Sequence, residues 1–179
     1  MAQFKAIAPN VEVCGAAVLS VVEGMEEFHS TALEILAKHG IKNPTKESWY
    51  QQQDWLDAFR MISEKIGPAT LKAIGNKIPQ TALWPPDIKT IEEALASIDV
   101  AYHLNHRGGE IGHYRFEKIR ENSGRMFCDN PYPCVFDAGI IKSTAVRFSP
   151  DDMIVIVLHD DQKPCRQKGA ESCTYLISW

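Results

Sequence analysis

Long apolar runs are missing from this chain of 179 residues. The best candidate, Val11–Val22, is broken by Glu12, Cys14 and Gly15 and is too short to span a bilayer. The N-terminus MAQFKAIAPNVEV has no apolar stretch behind a basic start, so it does not read as a secretory signal. Blocks of like charge are absent too, and a net charge of −4 offers no basic surface for nucleic acid. There is no low-complexity linker and no internal repeat. The sequence holds no G-x-S-x-G elbow, no H-E-x-x-H, no P-loop, no glycine-rich dinucleotide loop and no C-x-x-C pair. These absences point to a soluble, cytoplasmic protein with no nucleic acid and no membrane among its partners. They also favour a non-catalytic role over an enzyme.

What is present is ordinary globular composition, 45% hydrophobic and 23% charged, enough for one domain over residues 1–179. The valines of VEVCGAAVLSVVEG predict a first strand. From Met25 the period becomes helical, with Phe28, Ala32, Ile35 and Leu36 on one face and Gly40 as a stop. Trp55, Phe59, Ile62 and Ile66 mark a second helix. Leu71 and Ile74 mark a third, stopped at Gly75 and Pro79. Asp87 is the expected cap of a fourth, carrying Ile88, Ile91, Leu95 and Ile98. After Asp99 the pattern turns to strands. VAYHLNHRGGEIGHYRFEKI reads as a hairpin turning at Gly108-Gly109, and ENSGR as a second turn. PCVFDAGIIKSTAVRF predicts a helix with Pro133 in its first turn, MIVIVLHD a buried strand and CTYLISW a final one. The fold class is therefore α+β, with an N-terminal strand and helices packed on a mostly antiparallel C-terminal sheet.

Five cysteines without a secretory signal argue for free thiols or a metal site rather than a disulfide framework. Cys128 and Cys134 are separated by five residues across a proline turn, and Cys165 and Cys173 by seven. Four thiols suit a tetrahedral zinc ion, although neither spacing is that of a finger or ribbon. Idle core thiols and a reversible Cys165–Cys173 disulfide are the competing readings. Cys14 belongs to the core.

CRQKGAESCTYLISW resembles the closing motif of the 4-vinyl reductase domain family, over roughly the last 50 residues. The resemblance implies a fold similar to the TRAPP transport subunits and, more distantly, to the haem-based gas sensors called H-NOX. It implies a structural zinc with Cys165 and Cys173 as the matched ligands. The family's acidic ligand is absent, since Gln162 stands in its place, so Cys128 or Cys134 would complete the site. The Y-x-S-x-R motif that grips haem propionates in H-NOX is not found, and haem is set aside.

HLNHRGGEIGH brings His103, His106 and His113 close together, as a metal or haem ligand set, a general base or a solvated sheet face. Asp151-Asp152 and Asp160-Asp161 read as solvated turn residues. The aromatics suggest an apolar pocket that takes a small apolar or aromatic ligand, with Trp55, Phe59, Trp84, Tyr102, His106 and His113 as its ligand-binding residues. The functional expectation is a sensing domain with a structural zinc, signalling through a protein partner or a homodimer. The alternatives are an enzyme or accessory protein in tetrapyrrole or thiol redox chemistry, and a haem-based gas sensor.

Overall fold

The computed structural model describes residues 3–150 and 153–179, so Asp151-Asp152 lies outside the described residues. Its order is β1 (Glu12–Cys14), α1 (Gly15–Gly24), α2 (His29–Lys38), β2 (Trp49–Gln51), α3 (Gln52–Lys65), α4 (Pro68–Thr81), α5 (Ile91–Leu104), β3 (His106–Arg107), β4 (Tyr114–Arg120), β5 (Ser123–Cys128), α6 (Cys134–Arg147), β6 (Ile156–His159) and β7 (Cys173–Ser178). A small antiparallel sheet runs β2-β1-β3, and a larger antiparallel one runs β4-β5-β7-β6. The α+β class holds.

The predicted first strand is mostly helix. Only Glu12–Cys14 is extended, and the valine run forms α1. Ala16, Ala17, Val18, Ser20, Val21 and Val22 are all buried, and a narrow strip of Leu19 and Glu23 reaches the surface. Burial on nearly all sides blurs the amphipathic period, and β-branched residues then read as a strand. Gly15 is required at the entry, because a Cβ there would lie 1.7 Å from the Thr45 carbonyl oxygen.

The expected stop at Gly75 and Pro79 does not occur, and α4 runs on to Thr81. Gly75 is a contact, not a break: its Cβ would sit 2.3 Å from the Phe136 carbonyl oxygen on α6. Gly139 of α6 faces back, with a Cβ position 2.4 Å from the Lys72 carbonyl oxygen. These two glycines let the helices touch backbone to backbone. A Gly139→Leu variant is expected to lose several kcal/mol by overpacking, read by urea unfolding.

Helix α5 is capped by Thr90 rather than Asp87, with a reciprocal box to Glu93, and it continues through Leu104. Tyr102 and His103 are therefore helical, and the hairpin expected at Gly108-Gly109 does not form. β3 pairs with β1 instead, and β4 pairs with β5 across the second turn signal. The buried strand expected at β6 is instead the sheet edge, with Ile156 and Leu158 exposed. The inward faces of β5 and β7 carry Met126, Cys128, Cys173, Tyr175 and Ile177 into the core.

Candidate functional site

Two sites meet beneath α6: an apolar cavity on one side and a thiol cluster on the other. The cavity has a volume of about 40 Å³, and its wall includes Trp55, Trp84, Ile98, Tyr102, Asn105, His106, Tyr114, Tyr132 and Phe136. Helix α3 supplies Trp55, whose ring packs 4.8 Å from Phe59, 5.3 Å from Tyr132 and 6.1 Å from Phe136. Of the six residues expected to bind ligand, the structure places Trp55, Trp84, Tyr102 and His106 on the cavity wall. Phe59 is core behind Trp55, and His113 lies on the surface beside Asp99. Tyr114, Tyr132 and Phe136 have no spacing signal, because they reach the cavity from separate elements.

His106 sits at the centre of this wall. Its Nε2 lies 2.7 Å from the Tyr132 hydroxyl and its Nδ1 lies 2.8 Å from the Tyr102 carbonyl oxygen. The carbonyl only accepts, so Nδ1 carries the proton. Tyr132 then donates to Nε2 while accepting from Gln52 Nε2 at 3.0 Å. This neutral tautomer fits the burial of the ring, which lowers the His106 pKa to about 4. Asn105 fastens the neighbouring chain: its side chain bonds the amide and carbonyl of Leu83 and receives the Cys14 thiol.

A pH dependence follows. The folded pKa of His106 is depressed below the free value of about 6.5, so unfolding takes up a proton between those values. Its contribution is present above pH 6.5 and is lost as the pH falls toward 4. Stability should drop by about 2 kcal/mol from pH 7 to pH 5 through this group alone. Comparing urea unfolding of the wild type and His106→Gln at both pH values isolates that slope. Asp137, pushed up to about 6 by burial, acts in the opposite sense and cancels in the comparison.

The second site gathers Cys134 from the start of α6, His159 from the end of β6, Cys165 from the loop and Cys173 from the start of β7. One donor atom from each lies within 4.8 Å of all the others. The sulfur separations are 3.2 Å for Cys134–Cys173, 3.6 Å for Cys134–Cys165 and 3.8 Å for Cys165–Cys173. A tetrahedral ion with metal–sulfur bonds of about 2.3 Å sets its corners about 3.8 Å apart, close to this triangle. His159 Nδ1 donates to the Asp161 carboxylate at 2.9 Å, and the ring also faces the Cys173 thiol. A carboxylate on one ring nitrogen with the other turned to the thiols is the usual arrangement of a ligating histidine.

The four expected metal cysteines thus divide. Cys134, Cys165 and Cys173 converge, and Cys128 stands apart. Cys128 is opposite Cys173 in the β5–β7 register, but its thiol is deeply buried, which drives its pKa well above the ordinary value. The fourth group beside these three thiols is His159. The only signal for it in the sequence is its place six residues before Cys165.

Between the two sites lies a fully buried ion pair. Arg166 donates to Asp137 and to the carbonyl and side-chain oxygens of Asn130. Its Nε also donates to Cys173 Sγ at 3.4 Å, and its backbone N–H does so at 3.3 Å. The Cys173 thiol is held below its ordinary value by the hydrogen bond from Cys134, with Arg166 beside it. Tyr114 donates to Asp137 at 2.6 Å, and Asn130 accepts the Tyr132 amide at 2.9 Å. Cavity wall and thiol cluster therefore share one hydrogen-bonded partition.

No family model matches the sequence, and no curated protein matches it. Solved structures do. An H-NOX protein from S. oneidensis in the Fe(II)NO state superposes with a TM-score of 0.67 at 16% identity, covering 91% of this chain and 97% of that one. A point mutant of the T. tengcongensis H-NOX gives 0.66 at 14% identity, covering 92% and 96%. An unliganded Fe(II) H-NOX from K. algicida gives 0.60 at 15% identity, covering 92% and 95%. At these identities the likeness is one of fold: this chain has the H-NOX fold.

That finding corrects the 4-vinyl reductase and TRAPP-like assignment. The closing cysteine motif is short, and it carries no information on helices α1 to α6, all of which precede it in the chain. The same finding overturns zinc as the cofactor with haem set aside, since the neighbours are Fe(II) proteins. Haem is therefore the group to test against the residues present. As they stand they do not fit it. The cavity is smaller than the roughly 150 Å³ that holds a benzene ring, and a macrocycle needs several times more. Both nitrogens of His106 are engaged, and among the described residues neither arginine nor lysine lines the cavity to meet propionates. Among the described residues no helix is long and apolar enough to cross a membrane.

Proposed function

We propose that the chain is a single sensor domain on the H-NOX fold, binding a small apolar ligand of gas size in the cavity beside His106 and Tyr132. It reports occupancy to a protein partner or a second copy. One observation carries this reading: the small apolar cavity walled by Trp55, Tyr102, Tyr132 and Phe136 beside His106. A volume of about 40 Å³ suits a diatomic molecule or a few waters. S. oneidensis H-NOX structures described with NO and with CO on Fe(II) support a ligand of that size on this fold.

Xenon is the probe. Xenon under pressure should shift the NMR signals of cavity-lining residues, and Ala82→Leu, which fills the cavity wall, should abolish the shift. Unshifted cavity signals would sink the reading. The neighbours favour a second reading, a haem-based gas sensor, in which His106 gives up Tyr132 and the aromatic wall parts. Titration with hemin checks it: a Soret complex at one per chain, lost in His106→Ala, would replace direct binding by haem-based sensing.

For the thiol cluster we propose a tetrahedral transition-metal site made by Cys134, His159, Cys165 and Cys173. The His159 ring turned to the thiols supports it, as does the close sulfur triangle. The site would tie β6, the following loop and β7 to α6 and stabilise the C-terminal sheet. Added Co²⁺ should give intense sulfur-to-metal absorption, retained in Cys128→Ala and lost in Cys173→Ser. Absence of that absorption, with a disulfide formed instead, would make the cluster a redox pair.

A further inference from the structure

A separate cluster lies on the outer face of α5, away from the cavity and the thiols. Asp99 and His103 are one turn apart on the helix, and His113 arrives from the loop before β4. One donor atom from each of the three lies within 4.8 Å of the others. The two imidazole rings are 5.1 Å apart and inclined by 32°. Asp99 is fixed in place, since its Oδ1 accepts the Tyr114 backbone N–H at 2.8 Å. His113 Nδ1 stands 3.4 Å from the same carboxylate.

The chemistry of the cluster is specific. His103 Nδ1 lies 2.8 Å from the Asp99 backbone carbonyl, which can only accept, so this nitrogen carries the proton and Nε2 keeps its lone pair. An imidazole oriented by a backbone carbonyl in this way is set up as a metal ligand. His113 and the Asp99 carboxylate complete two histidines and one carboxylate. The three line a shallow surface cleft whose remaining wall is Val100 and Leu104, both exposed. Among the described residues lining the cleft there is no lysine or arginine to neutralise Asp99, and the carboxylate is left to two half-exposed histidines.

We propose that Asp99, His103 and His113 bind one divalent first-row transition ion, with open coordination positions facing solvent. Imidazole and carboxylate donors suit Co²⁺, Ni²⁺ or Cu²⁺ and disfavour the larger, oxygen-seeking Ca²⁺. This site is independent of the reading of the cavity.

The test is Ni²⁺ titrated into the full chain by calorimetry, with absorption followed in parallel. Nickel on thiolates shows sulfur-to-metal charge transfer, and nickel on this cluster does not, so the two sites are counted separately. The wild type should bind one equivalent without charge-transfer absorption. His103→Ala/His113→Ala should remove that equivalent or weaken it at least a hundredfold, and Asp99→Asn should weaken it about tenfold while keeping an acceptor for Tyr114. If the double variant retains the same silent equivalent, the site is wrong. Should the double variant misfold, by circular dichroism, His113→Gln alone decides: unchanged affinity overturns the assignment, and a loss of tenfold or more supports it.

Discussion

Trp55→Ala should lower the stability of this protein by about 3–5 kcal/mol, among the largest effects of any single truncation here. Trp55 is 1% exposed, and three aromatic rings lean on it. Removing the indole deletes apolar contact with Phe59, Tyr132 and Phe136 together. Those neighbours are anchored by their own elements and cannot all collapse inward. Tyr132 in particular is held by His106 and Gln52. The space left would join the existing cavity of about 40 Å³ and bring it into the range that admits benzene. Urea unfolding by circular dichroism measures the loss. A gain in melting temperature on adding benzene to the variant, absent in the wild type, shows that the space stays open. A loss under about 1 kcal/mol would mean that the aromatic wall is not packed as described.

Arg166→Met should destabilise the fold by a similar amount, about 3–5 kcal/mol, by leaving Asp137 buried without its cation. Arg166 and Asp137 side chains are both fully buried. Burial raises Asp137, yet at about 6 it is still ionised at neutral pH opposite the guanidinium. Without Arg166 the carboxyl must take a proton or the region must open. The double variant Arg166→Met/Asp137→Asn should recover much of the loss, because the introduced amide can still accept from Tyr114 while carrying no charge. Additive losses in the double variant would show that Arg166 acts elsewhere, through Cys173 or Asn130. The same pair bears on function. It joins the wall of the cavity to the thiol cluster, and Arg166→Met removes a cation that holds the Cys173 thiol down, so it should also slow alkylation of Cys173 relative to Cys128.

How much of this is legible in the residues differs by element. Helices α2, α3 and α6 and strand β7 announce themselves because each has one buried and one exposed face, and the period survives in the residues. Helix α1 does not, because it is buried on nearly all sides, save the strip of Leu19 and Glu23, and its valines favour a strand when read locally. Gly75 reads as a stop only until α6 is seen lying against it. The α+β class and the acidic net charge belong to the sequence alone. They rest on local pattern and on composition, whereas the spacing of the cysteines left idle thiols, a disulfide and a metal site all open.

Tertiary structure decided the rest. It alone exchanged Cys128 for His159, since the side-chain directions at the ends of β5 and β6 depend on sheet order. It alone moved His113 out of the cavity and beside Asp99 and His103, because α5 runs one turn further than its pattern shows. The cavity itself is made by Trp55, Tyr102, His106, Tyr132 and Phe136, side chains from several elements that share no spacing. A site assembled from contacts between distant segments leaves no period to read. Only the packing of α3, α5 and α6 brings these residues together.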